Sequence, residues 1–145
     1  MPTLQIFNSF RLKLAKGIIN LDTAANGGDT FKVFLSATTP NLSTHDEKGD
    51  ITEIANGNGY TTGGQSLTIT SLSESAGVVS WVITSDLTWT ASGGTMASFR
   101  YAYIYDDTIS GDPLVGVIDH GSTVSLSSGT PYILRTGGVT LLTVD

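Results

Sequence analysis

The chain contains no cysteine, which excludes a disulfide framework, a thiolate metal site and a cysteine nucleophile. Charge is scarce as well: charged residues make up 14%, with seven Lys or Arg against 13 Asp or Glu, a net charge of −6 and a pI of about 4.6. So few cations leave no basic footprint for a phosphate backbone, and nucleic acid is not an expected partner. Nowhere do about 18 apolar residues run together. The start, "MPTLQIFNSFRLKLAKG", has neither an uninterrupted apolar segment nor a cleavage-site pattern, so no membrane association and no classical secretion are expected. Walker and dinucleotide-binding signatures are also missing, and no cofactor is expected.

What is present fits one domain, residues 1–145, with 17 Gly and 37 Ser plus Thr, a composition of β-rich and turn-rich proteins. One stretch has helical periodicity. From 4 to 17 the large apolar residues Phe7, Phe10 and Leu14, followed by Ile18, recur three and four apart on one stripe. Thr3 or Asn8 is placed to cap the start and Gly17 to end the helix in the left-handed region. A helix this short needs a surface to pack on, so Phe7, Phe10 and Leu14 are expected against a sheet or a neighbouring subunit. Arg11, Lys13 and Lys16 lie where cations suit the end of a helix dipole.

Beyond the turn-forming "NLDTAANGGD", the run "TFKVFLS" alternates as a strand. Residues 37–65 hold a Pro, several Gly and a charge cluster, and read as a long surface excursion too polar for core, with one short strand around 51–54. That excursion is the expected contacting loop. From Ser66 onward, short runs rich in β-branched and aromatic residues are fenced by Gly, Ser, Asp and Pro. Their short connections imply antiparallel pairing, and the expected fold is an all-β, antiparallel, jelly-roll-like β-sandwich of eight or nine strands plus the N-terminal helix.

Candidate chemistry is sparse. "YDDTISGDPLVGVIDHG" brings Asp106, Asp107, Asp112, Asp119 and His120 to one hairpin. Its spacing does not form the calcium-loop ladder, and ordinary turn chemistry explains the acids. Asp119 and His120 are adjacent on a strand and point to opposite faces, so they do not make a catalytic pair. His45 has no companion ligand, and no metal site is expected. Tyr101, Tyr103 and Tyr105 alternate on one strand, either as core or as a platform for a sugar or partner. Trp81 and Trp89 read as core fillers.

The segments "KGIINLDT", "DTFKVFL", "GNGYTTGG" and "YDDT…PLVGVIDHG", at 16–23, 29–35, 57–64 and 105–121, resemble in the same order a family of small structural proteins of tailed bacteriophages. The chain departs from that pattern by "AANGG" before Asp29 and by its last residues, "SSGTPYILRTGGVTLLTVD", which read as a terminal hairpin. The resemblance implies a virion protein without enzymatic activity, made in the bacterial host cytoplasm. Its expected role is capsid cement or decoration, with the major capsid protein as partner and with dimers, trimers or lattice-templated copies. Two other roles stay open: a neck, tail or head-fibre component, and a carbohydrate- or receptor-binding module using the tyrosine face.

Overall fold

The computed structural model describes residues 4–83, 86–135 and 139–144. The class is all-β and sandwich-like, with one short α-helix. In chain order the elements are β1 (Leu4–Ile6), α1 (Asn8–Ala15), β2 (Phe31–Ser36), β3 (Gln65–Ser66), β4 (Ile69–Ser75), β5 (Val78–Ile83), β6 (Leu87–Thr90), β7 (Phe99–Asp106), β8 (Leu114–Val124), β9 (Pro131–Leu134) and β10 (Val139–Val144). They form a five-stranded sheet in the order β1-β8-β7-β2-β3, a three-stranded sheet β10-β5-β4, and the pair β6-β9, all antiparallel.

The start of the chain differs from its helical reading. Leu4, Gln5 and Ile6 pair as an edge strand with Ile118, Val117 and Gly116 of β8, and the helix begins only at Asn8. Gly116 is what admits this strand, because a Cβ there would stand 2.8 Å from the Leu4 side chain and 2.9 Å from the Gln5 carbonyl. Phe7 takes the N-cap position with no side-chain cap; its N–H goes instead to the Val115 carbonyl at 3.2 Å. The helix ends at Gly17 (φ +70°) as its sequence predicts. There the Ile18 and Gly17 N–H groups bond the Lys13 and Leu14 carbonyls in a Schellman closure.

Central strand β7 is buried along nearly its whole length. One face of the five-stranded sheet carries Phe34, Tyr101, Tyr103 and Tyr105, and the other carries Phe31, Val33, Leu35, Ala102 and Ile104, as the pairings Phe34↔Tyr103 and Val33↔Ile104 require. The three-stranded sheet meets the second face, where Phe31 touches Trp81 edge-on at 5.1 Å between ring centroids. The first face is covered by residues 37–65, which are less superficial than their polarity suggests. Ile51, Ile54 and Tyr60 from this segment are buried in the core. No regular strand forms at 51–54; a single bridge, Ser36↔Glu53, and the Ile54 N–H on the Leu35 carbonyl fix it to β2.

Two further readings change. "STVSLSS" does not start a strand of its own, since β8 runs unbroken to Val124. The last two strands are no hairpin: β9 pairs with β6, while β10 pairs with β5 in another sheet. With β1 and β3 added, ten strands are formed among the described residues.

Candidate functional site

The tyrosine file was one of two candidate surfaces, and the structure closes it. Tyr101, Tyr103 and Tyr105 are buried. Tyr103 stacks on Phe34 at 5.3 Å and on Phe7 at 6.2 Å. The hydroxyls of Tyr103 and Tyr105 donate to the Thr38 and Gly63 carbonyls, both in the covering excursion. Burial pushes both phenols well above their usual range, so they act as neutral donors anchoring the cover. Among the described residues, no aromatic platform is left open on this face.

The cover is held by a residue that the sequence reading passed over. Glu53 accepts from the Tyr60 hydroxyl, the Gly63 N–H and the Lys48 ammonium, each at 2.6 Å. Lys48 also sits over the Phe34 and Tyr105 rings, at 5.0 and 5.6 Å. Burial raises the Glu53 carboxyl, but the hydrogen bonds from Lys48, Tyr60 and Gly63 outweigh it and hold the group below the usual range. Tyr60 in turn accepts the Leu35 N–H at 3.2 Å. The available signal was the run Ile51 to Ile54, two apolar residues around a lone acid, placed just before the "GNGYTTGG" turn.

The acid cluster does not converge on a centre. Asp119 makes a two-pronged ion pair with Arg100 at 2.8 and 2.9 Å, whose guanidinium holds its carboxyl below the usual range. Asp107 pairs with Lys32 at 3.1 Å, and Asp112 occupies a turn at φ +50°. His120 lies edge-on to Tyr132 at 5.5 Å, while the Asn41 N–H donates to Nδ1 of His45 at 3.2 Å. No group of three His, Cys, Asp or Glu suited to a metal occurs among the described residues. Asp106 differs from the rest: it is 0% exposed, at the end of β7.

The "NLDT…GGD" connection is likewise scaffold. Asp29 accepts the Asn20 N–H at 2.7 Å and returns its own N–H to the Asn20 carbonyl, while Asp22 receives Thr23 and Asn26. Gly28 lies against the Asp22 carbonyl, where an added Cβ would meet oxygen at 1.8 Å.

A concave apolar surface stays open among the described residues. A groove of about 470 Å³ runs between the end of α1 and the β4–β5 sheet, lined by Leu14, Ile19, Leu21, Leu72, Val79 and Trp81. Of the expected packing residues, Phe7 and Phe10 are fully buried, while Leu14 is half-buried on this groove. Leu72 in its wall is 37% exposed; Leu12 on α1 and Ile18 just after it are 56% and 43% exposed. Trp81 is fully buried, and its indole N–H has no acceptor among the described residues. An apolar groove with a part-exposed Leu72 in its wall is what a binding surface presents.

No protein-family model, curated protein or solved structure matches this chain. Its functional reading therefore rests on its own residues.

Proposed function

We propose that the chain is a non-enzymatic structural protein of a tailed-phage virion, a capsid cement or decoration protein that binds the outer head lattice. Its partner is the major capsid protein, with copies placed by self-association or by the lattice. The observation that carries this reading is the use made of the four resembling segments. "KGIINLDT" closes α1 and builds the Asn20–Asp29 loop, "DTFKVFL" is β2, "GNGYTTGG" pins the cover over the tyrosines, and "YDDT…DHG" is the β7–β8 hairpin. All four lie in one connected scaffold, which supports reading them as parts of one fold.

The groove beside α1 is the docking surface in this reading. It replaces the 37–65 excursion, which the core holds down on the other face of the main sheet. Weak contacts of this kind become strong when many copies engage one lattice. A protein that binds only the mature lattice stabilises it by mass action.

The test is mass spectrometry of purified virions, with copy number taken relative to the major capsid protein. A number comparable to that of the capsid subunits is expected, and a single ring's worth would overturn the cement role in favour of the neck or tail. Leu72→Asp should abolish binding to empty heads with little change in melting temperature, because Leu72 is part-exposed and outside the main core. Unchanged binding would move the interface elsewhere.

A further inference from the structure

The corner where the segment before β2 meets the β7–β8 turn holds a group that the scaffold leaves unsatisfied. Asp106 is completely enclosed. Its Oδ1 accepts the Thr108 and Ile109 N–H groups at 2.8 and 3.2 Å, but its Oδ2 has no donor among the described residues. Within hydrogen-bond reach stands a second carboxyl, Asp29. The two chain segments are zipped together around this pair. Asp107 N–H donates to the Thr30 carbonyl at 2.8 Å, Thr30 N–H donates to the Thr108 hydroxyl at 2.8 Å, and the two threonine hydroxyls lie 3.0 Å apart.

Asp106 is enclosed and Asp29 half-buried, so two ionised carboxylates in contact here repel with little water between them, and the contact favours a proton or a cation. A hard cation such as calcium takes about six to eight oxygens, and among the described residues no third acidic or histidine ligand joins the pair. A proton needs only the two oxygens present. Lys32 of β2 is next in sequence to Phe31. It points to the opposite face from Phe31, the residue paired with Asp106, and is engaged there by Asp107.

We propose that Asp29 and Asp106 form an acid-closed latch: sharing one proton, they tie the 20–30 loop to the β7–β8 turn, and losing it sets two anions against each other and loosens that loop. Asn20 and Leu21 at the start of the loop also line the apolar groove, so the latch steadies one wall of it. The corner geometry carries the proposal whether or not the groove binds a capsid. Burial, offset in part by the Thr108 N–H and reinforced by Asp29, moves the Asp106 carboxyl up to about 6. A group raised in the folded state contributes stability that is complete below its unfolded value near 3.8 and is lost as pH rises through about 6.

The experiment follows the side-chain carboxyl carbons of Asp29 and Asp106 by NMR against pH in the full chain, with amide exchange of residues 20–30 alongside. Asp106 should titrate near pH 6, and the loop's protection factors, which remove the intrinsic base catalysis of exchange, should fall as it ionises. Asp106→Asn keeps the Oδ1 acceptor and donates an amide hydrogen to Asp29 at every pH. Its loop protection factors should lose that transition and stay at their high, low-pH level. Should this variant not fold, Asp29→Asn carries the test, because Asp106 must then titrate at lower pH. Ordinary titration of Asp106, below about 4.5, overturns the latch. So does an unmoved Asp106 midpoint in Asp29→Asn, or a calcium-induced rise in wild-type melting temperature at neutral pH that Asp106→Asn abolishes.

Discussion

Replacing Glu53 by Ala tests whether the 37–65 segment is a working layer of the fold. The side chain is 11% exposed and receives three donors at 2.6 Å. Truncation strands the Lys48 ammonium, the Tyr60 hydroxyl and the Gly63 N–H beneath the cover. Hydrogen bonds to a charged group are each worth about 1.5–3 kcal/mol, and breaking a buried pair from one side costs about 3–5 kcal/mol. The contributions overlap, since Lys48 keeps its contacts with Phe34 and Tyr105. The expected loss for Glu53→Ala is therefore about 3–5 kcal/mol, and for Glu53→Gln, which keeps an acceptor and the shape, about 1.5–3 kcal/mol. Urea denaturation reads this directly if the slope is unchanged. A double-mutant cycle with Lys48→Met separates the ion pair from the other two bonds, with coupling expected above about 1 kcal/mol. A loss below about 1 kcal/mol for Glu53→Ala would show the cover to be a dispensable surface loop.

Helix α1 gives a paired contrast: Phe10→Ala, at a fully buried position, should cost about 3–5 kcal/mol, whereas Leu12→Ala, 56% exposed, should stay within about 0.5 kcal/mol. Equal effects in chemical denaturation would show that the helix does not dock as described. Stability against pH should form a dome on the acid side of neutrality. Glu53 and Asp119 are held below their usual values, so their contribution is present above the unfolded values and disappears as pH falls through the folded ones. Asp106, raised, works in the opposite sense between about 6 and 3.8. Melting temperature should therefore rise slightly on going from neutral pH toward 5 and fall steeply below 4; a monotonic fall from pH 7 would refute the Asp106 part.

Strand alternation was the most legible feature. "TFKVFLS", "GVVSWVIT", "DLTWTAS" and "ASFRYAYIYDD" each became a strand, because burial against two layers and β-branched or aromatic content pointed the same way. Helix α1 was visible but displaced. Leu4 and Ile6 fit either a helical stripe or an edge strand, and the deciding partner, Gly116, lies far away in sequence. No local pattern reports a partner of that kind. The same limit applies to the last strands, whose spacing suggests a hairpin while their pairing sends them to different sheets.

The 37–65 segment shows why polarity is a poor guide to burial when the surface to be covered is tyrosine. Phenol hydroxyls need acceptors, and a purely apolar layer would leave Tyr103 and Tyr105 unsatisfied at the cost of buried unpaired donors. A cover rich in carbonyls and turns, with the Glu53 carboxylate and Lys48 turned inward, meets that need while Ile51 and Ile54 fill the gaps. The charges that mark the segment as solvent-facing in sequence are thus partly inward, tied to each other and to rings. It follows that the segment is fixed from within and its loss should expose the tyrosine face. The apolar surface left open lies instead at the groove between the end of α1 and the three-stranded sheet, where Leu72 is part-exposed.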